Sequence, residues 1–409
     1  MTSVDALRAH RSAVGAEDPG AATCPIMGTY AAPGVMFTRG EGSWLVDREG
    51  RRYLDLLSGL AVTSLGHAHP EVAEAIAVQA RTLLHVSNLF ATEHAPVVAA
   101  QLDELLGGGG QVFFCNSGAE AVEAALKLAR RWGPAPAGRF AVVSALGSFH
   151  GRTLAALTAT GQPAKHEPFQ PLPEGFRHVP FDDVDALDAA VTPDVAAVLL
   201  EAVQGEGGVQ PASVEYLRAA REICDERGAL LMIDEVQTGL GRCGEWFAHQ
   251  AAGIRPDVVS MAKALGNGVP IGACWATLDA AAAFRPGDHA TTYGGQPLAT
   301  AAARTVLEVM RREDVPARAR RAGARFVGGL EGRPGVVGVR GRGLLLAVEL
   351  SVPAAEVVAD LLAHGVVANA VTPSAVRLAP SLLITDDEID TGTAALLESV
   401  ARVAASGVH

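Results

Sequence analysis

The 409-residue sequence predicts an α/β protein: a large domain on a mostly parallel sheet, and a smaller α+β domain assembled from both termini. Three observations carry this expectation. The middle of the chain alternates short apolar runs with amphipathic stretches, and strand–helix–strand alternation implies a parallel sheet covered on both faces. The two ends read differently, with short strands and turns before about Leu60 and mixed helices and strands after about Thr305. Apolar residues make up 49%, enough for a large core, and at about 150 residues per domain the length predicts two or three domains. The expected boundaries are 1–60 for an N-terminal arm and part of the small domain, 61–305 for the large domain, and 306–409 for the rest of the small one.

Candidate strands of the large sheet are Gln111–Cys115, Phe140–Ser144, Ala196–Glu201, Ala229–Asp234, Val258–Met261 and Gly272–Ala276. Between them, Val214–Glu226 places Leu217, Ala220 and Cys224 on one helical face, with Gly228 as its stop. In the small domain, Gly42–Asp47 and Arg52–Leu56 read as strands hinged on Arg48-Glu49-Gly50. Val336–Leu350 has strand character, and helices follow near Ala354–His364 and from Asp386.

The net charge of −12 argues against an electrostatic grip on nucleic acid, which needs a basic surface. No run of about 18 apolar residues predicts a membrane span. Residues Met1–Gly20 lack the apolar core of a signal peptide, so a cytoplasmic location is expected. The five cysteines (Cys24, Cys115, Cys224, Cys243, Cys274) are dispersed and read as free, mostly buried thiols, with no metal framework. Of the 33 basic residues only Lys127, Lys165 and Lys263 are lysines. An amine nucleophile must come from these three.

Four segments carry candidate chemistry. In Val112–Glu120 a strand runs into a tight turn and then a helix. Ser117 and Glu120 have capping-box spacing, and the free N–H groups at Gly118 and Ala119 make a ready phosphate site. In Leu230–Gly239 an apolar strand ends in Asp234 and Glu235, and ligands of open α/β sheets lie beyond the carboxyl ends of the strands. A carboxylate buried there needs a cationic partner, and a protonated pyridine nitrogen would serve. In Val258–Gly268, Lys263 closes an apolar strand, where low dielectric disfavours the ammonium and makes the amine a better nucleophile. In Ser148–Thr153, Phe149 offers a stacking face and Arg152 a bidentate partner for a carboxylate. Each segment alone also admits a plain reading: a capped helix, a solvated acidic pair, a lysine reaching solvent, a surface arginine. Lys127 and Lys165 suit such plain roles, and His67 and His69 read as structural.

Taken together, these segments resemble the class III aminotransferases, a fold-type I family dependent on pyridoxal 5′-phosphate (PLP), from about Tyr30 to near the C-terminus. The resemblance implies Lys263 as the Schiff-base lysine and Asp234 as partner of the pyridinium nitrogen. It implies Gln237 near the phenolic oxygen with Val236 beside it, Phe149 on the ring, and Ser117, Gly118 and Ala119 on the phosphate. Thr292 would reach the phosphate of a neighbouring subunit, so at least a homodimer with active sites at the interface is implied. Within the family, Ala61–His67, Ser87–Phe90, Gly161–Lys165 and Asn369–Pro373 leading to Arg377–Pro380 are most similar to its acetylornithine-transaminating branch of arginine biosynthesis. There Arg152 would hold the substrate α-carboxylate and Thr291 would help bind substrate. Glu206 and Arg377 resemble a gated pair, the glutamate covering the arginine for the amino donor and freeing it for 2-oxoglutarate. Ala202, Val122, Thr63, Ala264, Asn267 and Gln296 depart from the usual pattern, though none removes a catalytic group. Another ω-amine donor, such as ornithine or succinylornithine, or a paralogue in a natural-product pathway, stays open at this point, as more distantly does an aminomutase.

Overall fold

The computed structural model describes residues 26–30, 34–133 and 138–406. From Phe37 onward the chain is one compact unit by its contacts; the described residues before it, 26–30 and 34–36, form no helix or strand. The centre of the unit is a seven-stranded sheet. In spatial order its strands are Gly110–Cys115, Gly272–Thr277, Val258–Met261, Leu230–Asp234, Val195–Leu200, Ala141–Ala145 and Phe176–Val179. Only Gly272–Thr277 runs against its neighbours; the pairings among the last five are parallel. Six of these strands are the segments read from the sequence, with ends shifted by a residue. Phe176–Val179 was not anticipated, because four residues with charged Arg177 and His178 lack a strong apolar run.

The inner strands are largely apolar. Val195–Leu200 and Leu230–Asp234 are buried at every position, as expected of strands covered on both faces. Helix Gly118–Trp132 covers one face with a stripe of seven buried residues that includes Val122, Ala125 and Ala129. Helix Val214–Arg227 turns Leu217, Ala220 and Cys224 inward as its periodicity predicts. Ser213 caps it by accepting the Tyr216 N–H, and Gly228 ends it in the left-handed region, a conformation glycine adopts without a Cβ clash.

Two four-stranded sheets lie outside the large one. Phe37–Glu41, Trp44–Asp47 and Arg52–Asp55 form a meander that Val366–Val367 joins in parallel, so residues from the two ends of the chain share a sheet. The second sheet pairs Val336–Arg342, Leu345–Leu350, Ala375–Leu378 and Asn369–Ala370. Within Val336–Leu350 the strand breaks at Gly343, where φ is +56° and a hairpin turns. Helix Ala354–Ala363 packs on these sheets, and the long helix Asp386–Ser406 packs on that helix and on helix Val315–Leu330. Cys115, Cys224, Cys243 and Cys274 are buried free thiols; Cys24 lies outside the described residues. No described helix is long and apolar enough to cross a membrane.

One close approach fixes the edge of the large sheet against the turn after Gly110–Cys115. A Cβ at Gly272 would collide with the Ser117 carbonyl and lie 2.8 Å from Cys115 Sγ. Gly272→Ala is therefore expected to lower unfolding stability by about 1–3 kcal/mol through overpacking, and to loosen the turn at Ser117. Urea unfolding tests this; an unchanged midpoint would show that the strand end can yield.

Candidate active site

Parallel pairing sends the carboxyl ends of five strands to one edge of the sheet. There lies a cavity of about 400 Å3, lined among others by Ser117, Gly118, Ala119, Phe149, Arg152, Glu206, Asp234, Val236, Gln237 and Lys263. Ten of the residues singled out in the sequence thus meet in one place. The volume is within the range of small-ligand sites, about 300–1,000 Å3.

At the floor, Asp234 Oδ2 accepts from His150 Nδ1 at 2.8 Å and Oδ1 accepts the Val236 N–H at 3.0 Å. The His150 side chain is wholly buried and Asp234 nearly so. Behind them, Glu235 Oε1 takes both the N–H and Nδ1 of His249, each at 2.9 Å, and Oε2 takes the Thr238 hydroxyl. Glu235 thus braces the turn from within the protein. It is not among the cavity-lining residues.

Lys263 follows Val258–Met261 after one residue and sits at φ +44°. A lysine in the left-handed region carries backbone strain of the kind held at functional sites. Burial pushes its pKa below the usual lysine value, against the pull of Glu206 and Asp234. Its loop is pinned by Asn267, whose side chain accepts the Leu65 N–H at 2.8 Å and donates to the Gly66 carbonyl at 3.1 Å. Asn267 has φ +46°, which asparagine tolerates better than most residues. Asn267 therefore adds an anchor without forbidding the turn.

At the start of helix Gly118–Trp132, the Ser117 hydroxyl accepts the Glu120 N–H. The reciprocal arm reaches one residue further back than in a capping box, since Glu120 Oε2 accepts the Asn116 N–H. Gly118 presses on Val236, and a Cβ there would come within 2.6 Å of Val236 Cγ1. The Phe149 N–H donates to Glu201 Oε2 at 3.0 Å, which holds that aromatic at the cavity. The Arg152 guanidinium lies 5.6 Å from the centre of the Phe149 ring.

Opposite, Arg377 lies on Ala375–Leu378 with a side chain 1% exposed. Its Nη1 is ion-paired with Glu206, while Nε donates to Asn369 Oδ1 at 3.0 Å. Burial disfavours the Glu206 carboxylate, but Arg377 outweighs it and holds the pKa below the usual range. Glu206 sits at the tip of the hairpin joining Val203–Gln204 to Gln210–Pro211. Arg340 ties that hairpin to the second small sheet by donating to the Gly208 carbonyl at 2.8 Å.

Thr291 and Thr292 are not cavity-lining residues. Thr291 reaches the site through its hydroxyl, 3.4 Å from Asn116 Nδ2. Thr292 lines a separate small cavity with Ser87, Asn88 and Gln296.

The chain matches the model of the aminotransferase class-III family over residues 28–400. It belongs to the class III aminotransferases. It is 48% identical over 389 residues to the acetylornithine aminotransferase of Corynebacterium efficiens, covering 92% of this chain and 95% of that one. It is 49% identical to that of Mycobacterium bovis, over 91% and 93%. Among solved structures it is similar to the ornithine aminotransferase of Toxoplasma gondii (TM-score 0.88, 33% identity, 99% and 96% covered). It is also similar to the N-acetylornithine aminotransferase of Stenotrophomonas maltophilia (TM-score 0.80, 36%, 92% and 98%). The protein is thus an α/β, fold-type I aminotransferase, and its cofactor is PLP. The donor set fits that cofactor: an amine, a carboxylate already oriented by a buried histidine, and a glycine-lined helix start with no room for a side chain.

Among the cavity residues of this class III aminotransferase that escaped the sequence reading are Glu201, His150 and Asn116. Glu201 follows Val195–Leu200 just as Asp234 ends the neighbouring strand, and the rule that singled out Asp234 applies to it equally. His150 stands beside Phe149 and was passed over because nothing local shows that it meets a carboxylate 84 residues away. Asn116 hid in the turn before Ser117.

Removing the His150 imidazole leaves one oxygen of buried Asp234 without a donor. His150→Phe is expected to cut kcat and cofactor retention at least about tenfold, read from steady-state rates and from the PLP retained on gel filtration. Burial, then Asp234, raises the Glu201 pKa well above the ordinary glutamate value. A raised folded-state pKa gives stability that is complete below the unfolded pKa, about 4.3, and is lost as pH rises toward the folded value. Glu201→Gln escapes that loss. Its Tm should therefore gain on the wild type between about pH 5 and pH 8; a pH-independent difference would contradict the assignment.

Proposed function

We propose that this aminotransferase moves the δ-amino group of N2-acetyl-L-ornithine to 2-oxoglutarate, giving N-acetylglutamate 5-semialdehyde and glutamate, a step of arginine biosynthesis. The observation that carries the reading is the placement of two arginines: Arg152 lines the cavity beside Phe149, and Arg377 lies buried behind Glu206, the acid that lines it. Likeness along nearly the whole chain to proteins named acetylornithine aminotransferase supports the same donor.

The reacting end of acetylornithine carries an amine and no carboxylate. Glu206 neutralises Arg377 while that end is bound, and Arg152 takes the α-carboxylate at the other end. With 2-oxoglutarate, Glu206 turns aside and Arg377 pairs with the carboxylate next to the keto group, a fork-to-fork contact. PLP, when bound, supplies an electron sink for the pair of electrons left as a proton leaves the substrate carbon. Lys263, whose ammonium burial disfavours, is the amine that carries that proton. Asp234, oriented by His150, would face the pyridine nitrogen. Ser117, Gly118 and Ala119 would hold the phosphate with N–H groups aided by the helix dipole. Phe149 and Val236 would enclose the ring, with Gln237 near its oxygen. Thr291 would support bound substrate through Asn116.

Thr292 lines a separate small cavity and not that of its own active site, so we assign it to the phosphate of the neighbouring subunit in a homodimer. We also assign the two small sheets with the helices packed on them to one small domain, separate from the 61–305 domain.

Lys263→Ala should abolish turnover together with the visible absorbance of the lysine-bound cofactor; retained activity would end the mechanism. Arg152→Ala should raise KM for acetylornithine about tenfold or more while leaving cofactor content intact. A panel of acetylornithine, ornithine, succinylornithine and 4-aminobutyrate with 2-oxoglutarate, scored by glutamate formed, decides the donor.

A further inference from the structure

Gly161–Lys165 ends in a short 3-10 turn, Pro163–Lys165, that brings Lys165 back to Phe149. Gln162 fastens this loop by donating from Nε2 to the Ser148 carbonyl at 3.0 Å, one residue before Phe149. The same side chain accepts from the Lys165 ammonium, which fixes the direction of a long and otherwise mobile lysine. Lys165 Nζ consequently lies 5.9 Å from the centre of the Phe149 ring. Arg152 addresses the same ring from 5.6 Å.

Two cations are thus gathered at one aromatic side chain, and among the described residues neither is paired with a carboxylate. The carboxylate whose charge reaches Lys165 is Glu206, and that acid is committed to Arg377. Burial lowers the Lys165 pKa, and the nearby Arg152 lowers it further. Like charges held together without a counter-ion are unfavourable, and an anion arriving between them relieves the repulsion. The cofactor phosphate is placed elsewhere, at the helix start by Gly118. The substrate's own carboxylate is the anion that reaches this side of the cavity.

We propose that Lys165 is a specificity-determining residue that shares the substrate α-carboxylate with Arg152, so that the donor is selected by two cations. This rests on the reading of the site as one for an ω-amine donor bearing an α-carboxylate. Arg152 supplies a planar fork, and Lys165 a point charge with its direction set by Gln162. Together they can engage both oxygens of one carboxylate. A donor lacking that carboxylate gains nothing from either.

The test compares N-acetylornithine with N-acetylputrescine, the same molecule without its carboxylate. It uses the PLP-loaded enzyme, with 2-oxoglutarate saturating. Lys165→Met should lower the ratio of kcat/KM for the two donors about tenfold, through KM of the carboxylate donor, and Lys165→Arg should restore most of it. An unchanged ratio would overturn the proposal. So would equal losses on both donors, because a lysine that only braces the loop would harm both alike. If the wild type instead prefers ornithine, the donor assignment fails by itself, and the same comparison is made between ornithine and putrescine.

Discussion

Parallel pairing of Leu230–Asp234 with its two neighbours is the constraint on which the site depends. The register sets Ile233 beside Leu200 and Asp234 beside Ser260. Glu201, Asp234 and, three residues past Ser260, Lys263 therefore leave the sheet at the same edge. Shifting any of these strands along its neighbour would carry one of the groups out of the cavity. The burial of all five residues of Leu230–Asp234, four of them apolar, opposes such a shift. The chemistry is held by the same packing that stabilises the core.

Crowding several charged groups into one cavity demands that most be spoken for. Asp234 is bonded to His150, Glu206 to Arg377, and Glu201 accepts from the Phe149 backbone while burial favours its protonated form. Among the described residues, the amine of Lys263 and the two cations at Phe149 have no carboxylate partner of this kind, and the function proposed above assigns them to the ligands. The buried pairs do not make the fold more stable than apolar side chains of similar size would, since desolvation offsets much of their attraction. Their worth is orientation.

The sequence reading reached the fold class and part of the cavity from local signals, and the family resemblance added Glu206, Val236 and Gln237. Apolar runs that stop at a charged residue marked Asp234 and Lys263, and the serine-to-glutamate spacing marked the helix start. Residues whose function depends on a distant partner were illegible. His150 shows nothing of its carboxylate partner, and Lys165 was given a plain role because a loop lysine looks solvated until the fold bends it back over Phe149. Phe176–Val179 was missed for a related reason. An edge strand with polar residues is made by the neighbour it pairs with, Ala141–Ala145, more than by its own composition.

The hairpin that carries Glu206 has a kinetic consequence. It is tethered through the Arg340 side chain to the sheet that contains Arg377, so the covering acid and the covered base are anchored to the same sheet. No loop need open and no domain need swing for the pair to separate. Rotation about the bonds of a single glutamate, an event that takes from picoseconds to nanoseconds for side chains near solvent, is enough. Alternation between two chemically different substrates can therefore be built into a rigid scaffold without becoming the slow step of its cycle.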